Sequence, residues 1–501
     1  MVGGEIRGRR AFAPDEFVQD PARAPGPGGS ITRLETRMRF LPDQDRFRVA
    51  VIGFGYVGSC IAATLADRGF DVVGVDTDPR LVDELARGHC RFAEEGLAEL
   101  IFRGLADGNL RVTTDIAEAA EADVVLIAVG TPVREDGSLA EEQLRGACRA
   151  LGEHLRPGQL VVLKSTVPPG TTRGIVLSLL EEESGLLGGV DFGLAFTPER
   201  LAEGTALREL RTFPIVAGGL GAESEAAAEA FWRRALGVEV IPRDSLEAAE
   251  IVKLASNWWI DLNIALANEL AMFCALYGVD VLDVITAANT IPKGAGNVNI
   301  LLPSVGVGGS CLTKDPWMVW RSAERHGLPI RTAPAGREVN AGMPEYTAQL
   351  AIDELVRQGK NPTGSKVAVL GLAFKNDTGD LRATPTAGAV KTLAKAGLTV
   401  SVYDPLVDPE AAEKLFGVRP AASLEEAVRD ADCLAVLAYH RDFHDIDFAA
   451  LPVAPNCLVL DGRAYYPKEK IAALRAAGYV YRGIGRGDAI PGPPTGTETD
   501  R

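Results

Sequence analysis

Arg48-Val-Ala-Val-Ile-Gly-Phe-Gly-Tyr-Val-Gly58 is the stretch on which the fold turns. Its unbroken apolar run, Val49 to Ile52, reads as a strand buried on both faces, the habit of a parallel sheet. Gly53, Gly55 and Gly58 then interrupt the run, and a helical pattern carries on to Arg68. In such a strand–turn–helix, the first glycine permits the tight turn. The second lets backbone approach a pyrophosphate, and the third lets the helix pack closely on the strand. The helix, read from Gly55 to Arg68, offers free N–H groups and a positive dipole end to phosphates. The next apolar run, Asp71 to Val75, is followed by Asp76, eighteen residues after Gly58. A carboxylate there accepts the ribose hydroxyls and repels a 2′-phosphate, which favours NAD over NADP.

Outward from this unit the text continues as alternating strand and helix. Val124–Val129, Leu160–Leu163 and Phe192–Ala195 read as further strands. Near Ser245 the pattern changes to one long helix reaching about Tyr277, followed by more helix with glycine-rich breaks at 294–296 and 306–309. Lys366-Val-Ala-Val-Leu-Gly371 then starts a second strand–turn–helix series, with later strands at 400–403, 433–437 and 458–460. The expected fold is α/β: two Rossmann-like, doubly wound parallel-sheet domains joined by a central helical region. The boundaries read as a disordered extension at 1–45, a nucleotide-binding domain at 46–242, a helical domain at 243–345, a second α/β domain at 346–485 and a disordered tail at 486–501.

The long helix is apolar nearly all round, yet Glu250, Lys253, Asn257 and Asp261 recur at spacings of three, four and four and so stack on one face. Two readings stand. The stripe is the solvated face of a half-exposed helix, or it is a buried cation and amide facing a site, where Lys253 and Asn257 stabilise a developing oxyanion.

Gly306-Val-Gly-Gly-Ser-Cys311-Leu-Thr-Lys-Asp315-Pro316 follows. Pro316 suits the first position of a helix and Asp315 its N-cap, which sets Cys311 just before a helix N-terminus. The dipole there, with Lys314 nearby, favours thiolate. The alternative for Cys311 is a small buried residue, as most cysteines are.

Composition narrows the function classes. The 501 residues carry a net charge of -16, which argues against nucleic acid or an anionic membrane as partner. No apolar run is long enough to span a bilayer, and the first forty-five residues hold no apolar signal core. The seven cysteines lack metal-ligand spacing, so a reduced, cytoplasmic protein without metal is expected. With five histidines, chemistry must come mainly from Lys, Asp, Glu or Cys.

Taken together, these segments resemble the UDP-glucose/GDP-mannose dehydrogenase family. The resemblance rests on Val51–Gly58, Val129-Gly-Thr-Pro132, Lys164-Ser-Thr-Val-Pro-Pro-Gly170, Pro198-Glu-Arg-Leu-Ala-Glu-Gly204, Lys253 with Asn257, Gly308-Gly-Ser-Cys311 with Lys314-Asp315, and Leu372-Ala-Phe-Lys375 through Thr378-Gly-Asp-Leu-Arg382, in the family's order over about residues 47–485. It implies an NAD domain, a central dimerisation region, a C-terminal domain for a nucleotide sugar, and a homodimer or higher homo-oligomer. It places Thr166, Glu199, Lys253, Asn257, Cys311 and Asp315 on catalytic positions. Cofactor positions are Gly53, Gly55, Tyr56, Val57, Gly58, Asp76, Arg80, Thr131, Glu203, Lys314 and Arg382. Substrate positions are Leu201, Lys253, Asn257, Gly308, Lys375 and Arg463. In the segment Ile291–Ile300, many members carry an arginine that crosses the dimer; here Lys293 is the nearest cation.

The implied reaction is a four-electron oxidation of the C6 hydroxymethyl of an NDP-hexose. An aldehyde has no second hydride to give until a nucleophile adds to it, and Cys311 would supply that step as a thiohemiacetal and then a thioester. Lys253 and Asn257 would hold the oxyanions, with Glu199, or a water held by Asp315 and Thr166, as base for hydrolysis. The Gly-Val-Gly-Gly and Asn-Val-Asn-Ile segments lean to an N-acetylhexosamine, whereas the cysteine loop leans to glucose. UDP- or TDP-glucose is the expected substrate, with UDP-N-acetylmannosamine, UDP-N-acetylglucosamine or GDP-mannose as alternatives. A two-electron dehydrogenase with a structural Cys311 is the rival reading.

Overall fold

The computed structural model describes residues 39–42, 46–92, 94–294 and 296–487. Strand β1 (Arg48–Ile52) turns at Gly53 into helix α1 (Tyr56–Asp67), and β2 (Asp71–Val75) returns beside β1 in parallel. β3 (Leu110–Thr113), β4 (Val124–Ile127), β5 (Leu160–Leu163), β6 (Gly193–Phe196), β7 (Ile215–Gly219) and β8 (Val240–Arg243) complete the sheet in the order β3-β2-β1-β4-β5-β6-β7-β8. Alternate residues of β1 feed opposite cores: Val49 and Val51 pack on one face, Ala50 and Ile52 on the other. That two-sided burial is why the strand reads as unbroken apolar text. One pairing departs from the parallel expectation: β6 and β7 are antiparallel. β3, β7, β8 and the last strand of the second sheet carry no comparable apolar run and were not expected from the sequence.

Ser245 caps the long helix α2 (Leu246–Leu276), its hydroxyl accepting from the Ala248 N–H at 3.1 Å. By length and composition α2 is the one helix among the described residues able to cross a bilayer, contrary to the expectation of none. Its polar stripe shows it instead to be a core helix: Glu250, Lys253, Asn257 and Asp261 are 0 %, 7 %, 7 % and 1 % exposed, so the solvated-face reading fails. Glu250 accepts from the backbone of Gly170 and Thr172 and from the Thr172 hydroxyl. Asp261 pairs with Arg337 at 2.6 Å and accepts from Asn340.

Helices α3 (Asp315–Arg325) and α4 (Thr332–Arg357) follow, and α4 runs straight through the boundary expected at 345. The second sheet comprises β9 (Lys366–Leu370), β10 (Thr399–Tyr403), β11 (Cys433–Val436), β12 (Leu458–Asp461) and β13 (Val480–Gly483). All its pairings are parallel, in the order β10-β9-β11-β12-β13.

Both expected disordered ends are shorter than read. Phe40 and Leu41 lie in the first core at 0 % and 3 % exposure. Arg486 is buried, bonded to Asp280 and to the Tyr466 carbonyl, so the folded region extends past 485. The rest of both segments lies outside the described residues. Lys293 sits on a short exposed hairpin, Pro292–Lys293 against Gly296–Asn297.

Candidate active site

In a doubly wound sheet, ligands bind where the chain reverses its direction of crossing. In the first sheet that point lies between β1 and β4. Gly53 has φ +92°, and a Cβ there would meet Ala128 backbone at 2.8 Å. A Cβ on Gly58 would lie 1.9 Å from the Gly53 carbonyl oxygen, whereas one on Gly55 would meet nothing within 4 Å. The turn is therefore closed behind and open in front, which fits a backbone cradle for a pyrophosphate. Asp76 accepts from the Phe54 N–H at 2.9 Å and the Asp78 N–H at 3.0 Å, fixing the turn. Arg80 is not brought to this site: its side chain is 85 % exposed and pairs with Asp78.

In front of the turn opens a cavity of about 430 Å³. Gly55, Tyr56, Val57 and Thr131 line it from the first sheet, with Thr166, Glu199, Leu201 and Glu203 from the loops after β5 and β6. Lys253 enters from α2, Gly308, Cys311 and Lys314 from the cysteine loop, and Lys375 and Arg382 from the second α/β domain. A second cavity of about 300 Å³ shares Gly308, Leu312, Phe374 and Lys375 with the first and continues along Arg463 and Tyr465. Two chambers thus share a wall beside the cysteine loop.

Cys311 is exposed, whereas Cys60, Cys148, Cys274, Cys433 and Cys457 are buried and Cys90 is half-buried; none is in a disulfide. The small-buried-residue reading of Cys311 fails. The helix start differs by one residue from the sequence reading: Lys314 is the N-cap, Asp315 the first helical residue and Pro316 the second. Freed from capping, the fully buried Asp315 carboxylate takes the Lys314 ammonium at 3.0 Å and the Asn257 amide at 2.5 Å. Asp315 and Asn257 therefore stand behind the cavity wall as a hydrogen-bonded pair rather than in it. Lys253, a turn before Asn257, is the member of the stripe that lines the cavity.

Several participants had no assigned role in the sequence reading. Lys164 closes the end of β5, 2 % exposed, 3.3 Å from Glu199 and 4.8 Å above the Trp232 ring; burial pushes its ammonium down and Glu199 opposes this. The signal was present, a lysine abutting a four-residue apolar strand, but a lysine at a strand end is usually solvated. Glu94 accepts from Tyr56 and from the N–H groups of Gly204 and Leu207, tying the glycine turn to the loop carrying Glu203; no periodicity marks it. Asp380 and Glu203 share Arg382, which reaches Glu203 at 3.0 Å from the second domain. Lys375 donates to the Glu203 carbonyl. Arg463 donates to the Phe374 carbonyl at the second chamber.

A backbone cradle for a dinucleotide at the switch point of the sheet, opening on a cavity lined by Lys253 and Cys311, fits an NAD-dependent dehydrogenase. Residues 47–236 match the NAD binding domain of the UDP-glucose/GDP-mannose dehydrogenase family, 247–342 its central domain and 368–468 its UDP binding domain. The chain belongs to this family and is an NAD-dependent nucleotide-sugar dehydrogenase. It is 34 % identical over 443 residues to the UDP-N-acetyl-D-mannosamine dehydrogenase of Pyrococcus horikoshii, covering 88 % of this chain and 100 % of that one. It is 35 % identical over 432 residues to the NDP-N-acetyl-D-galactosaminuronic acid dehydrogenase of Ralstonia solanacearum, covering 85 % and 97 %. Among solved structures, the P. horikoshii UDP-D-ManNAc dehydrogenase superposes with a TM-score of 0.79 at 32 % identity, covering 88 % and 100 % of the two chains. A UDP-glucose dehydrogenase from Pyrobaculum islandicum does so at 0.78 and 32 %, covering 89 % and 100 %.

Proposed function

We propose that this enzyme oxidises C6 of a UDP-N-acetylhexosamine of the mannosamine type to the carboxylate, through Cys311. The observation that carries the mechanism is the exposed Cys311 thiol lining the cavity in front of the glycine turn, with Lys253 in the same wall. The relatives named for N-acetylmannosamine and N-acetylgalactosaminuronate support the acetamido sugar, as do the Gly-Val-Gly-Gly and Asn-Val-Asn-Ile segments. The expectation of UDP- or TDP-glucose gains no support from those sequence relatives. UDP-glucose stays as a second reading because of the likeness to the P. islandicum structure.

Gly55, Tyr56, Val57, Thr131 and Arg382 would hold NAD, which supplies the hydride acceptor for each of two oxidations. In the first, C6 loses a hydride and its hydroxyl loses a proton, giving an aldehyde. The Cys311 thiolate adds to that carbonyl carbon, and the Lys253 ammonium offsets the oxyanion. Loss of a second hydride leaves a thioester. Glu199 then takes one proton from water as the water oxygen adds to the acyl carbon, the thiolate leaves a carboxylic acid, and that acid releases its remaining proton to solvent as the carboxylate. Asn257 acts through Asp315, holding the start of the helix that follows Cys311.

A homodimer formed on α2 belongs to the same reading, since Trp259, Leu266 and Phe273 recur seven apart at 49 %, 51 % and 57 % exposure. A reducing, cytoplasmic compartment suits seven free cysteines.

The test is incubation with NAD and a panel of UDP-N-acetylmannosamine, UDP-N-acetylglucosamine, UDP-glucose, TDP-glucose and GDP-mannose. The expected result is two NADH and one uronate per UDP-N-acetylmannosamine, and no uronate from Cys311→Ala. One NADH per sugar, with Cys311→Ala active, would establish the two-electron rival.

A further inference from the structure

The two α/β domains repeat one construction at their points of chain reversal. In the first, Gly53 (φ +92°) follows β1, its N–H donates to Val75, and Asp76 accepts from Phe54 and Asp78. In the second, Gly371 (φ +81°) follows β9, its N–H donates to Tyr403, and Asp404 accepts from Leu372 at 2.7 Å and Leu406 at 2.9 Å. In each domain the glycine directly follows one strand and the acid directly follows that strand's neighbour. What differs is what reaches the acid. The Asp404 carboxylate is fully buried, and the His440 imidazole, also fully buried, lies against it with Nε2 2.9 Å from Oδ2. His440 leaves the end of β11, the strand across the reversal point from β9. Positions matching Gly55 and Gly58 are Ala373 and Asn376, so no open cradle for a pyrophosphate remains.

His440 is tied on its other side as well. The Asp377 N–H donates to Nδ1 at 2.8 Å, which puts the ring proton on Nε2, where it is donated to Asp404. Asp377 has φ +56°, a left-handed conformation that a non-glycine residue adopts only when held. It ends the loop 372–377, whose Phe374, Lys375 and Asn376 line the second chamber. The residue before the histidine grips the same loop: the Tyr439 N–H donates to Asn376 Oδ1 at 2.9 Å, and the Tyr439 ring stacks on Tyr465 at 5.0 Å.

We propose that His440 is a positioning residue for the nucleotide sugar. It fills the ligand-binding point of the second sheet with a side chain and, through Asp377, fixes the loop that presents Lys375 and Asn376 to the nucleotide. The inference rests on reading the second chamber, whose Lys375, Asn376, Arg463 and Tyr465 lie within the match to the family's UDP binding domain, as the nucleotide site.

The two hydrogen bonds can be separated by amide variants. His440→Asn places an acceptor near Nδ1 and keeps the bond from Asp377. His440→Gln places its amide near Nε2 and keeps only the bond to Asp404. Calorimetric titration of the full-length enzyme with UDP, and separately with NAD, tests the assignment. We expect His440→Gln and His440→Ala to weaken UDP binding roughly tenfold or more, His440→Asn to recover most of it, and NAD binding to be unchanged in all three. A side chain that merely fills space gives the opposite order, because glutamine is the larger amide. UDP affinity unchanged in His440→Ala, recovery by Gln rather than Asn, or parallel loss of NAD binding overturns the proposal. If His440→Ala does not fold, the comparison of Asn with Gln carries the test. Wild-type enzyme that fails to bind UDP overturns the reading of the chamber itself, and this inference with it.

Discussion

Lys164 Nζ lies 3.3 Å from Glu199 Oε2, with the lysine side chain 3 % and the glutamate side chain 13 % exposed. Glu199 Oε1 already accepts from the N–H groups of Arg200 and Leu201, and no hydrogen bond reaches Oε2. The lysine is thus the counter-charge of the one carboxylate oxygen that no hydrogen bond reaches. Lys164→Met leaves a carboxylate in a buried wall without its cation and is expected to cost about 3 kcal/mol. Adding Glu199→Gln to Lys164→Met removes the stranded charge and should restore most of that loss. Urea unfolding of the three variants measures it, and strictly additive losses would show the pair to be uncoupled.

The glycine turn separates folding from binding. Gly58→Ala drives a methyl group to 1.9 Å from the Gly53 carbonyl oxygen, so a loss of stability of about 2 kcal/mol or more is expected. Gly55→Ala meets open space and should leave stability within about 0.5 kcal/mol of the parent while weakening NAD roughly tenfold. Thermal unfolding without ligand and calorimetry with NAD distinguish the two. Equal effects of both variants on folding would refute the geometry.

One cysteine should dominate the reactivity of the native protein. Burial pushes the Cys148 and Cys457 thiols up to about 12, and raises Cys433 and Cys60 as well, while Cys311 is exposed. Iodoacetamide at neutral pH is expected to add first at Cys311 with parallel loss of turnover. Intact mass and peptide mapping follow the reaction. A second site labelled at a comparable rate would sink the prediction.

Glu203 gives a pH dependence with a defined sign. Burial first, and then neighbouring Asp380, raise its carboxyl to about 7, while Arg382 pulls the other way. A carboxyl raised on folding holds its proton better in the native state. Its contribution to stability is therefore present below the ordinary carboxylate value and is lost as pH rises through about 7. Glu203→Gln keeps the neutral form at every pH. Its stability relative to the parent should accordingly improve between about pH 5 and about pH 8, read from urea midpoints at each pH. A constant difference, or one of opposite sign, would falsify the assignment.

The glycine turn, the long helix and the cysteine loop were legible because each writes a local rule into adjacent residues: two-sided burial, a 3.6-residue period, a helix start. Asp315 was misplaced by one position because its buried carboxylate takes the amide of Asn257, a partner 58 residues away with no local signature. Glu94, Lys164 and His440 were given no role for a related reason. Their partners, Gly204, Glu199 and Asp404, stand 110, 35 and 36 residues away, and the sequence offers no pattern that joins them. The antiparallel β7 was hidden too, since the connection 197–214 is long enough for either strand direction and composition decides neither.

Helix α2 makes four unrelated appointments along a single edge: Glu250 with the loop at Thr172, Lys253 with the cavity, Asn257 with Asp315, and Asp261 with Arg337. It behaves as a measuring rod, and its graduations are counted in residues. Substituting one graduation disturbs one appointment. Adding or deleting a single residue between Glu250 and Asp261 turns everything beyond it by about 100° and breaks the alignment of all that follows. The length of the rod between Glu250 and Asp261 is therefore constrained by all four partners at once.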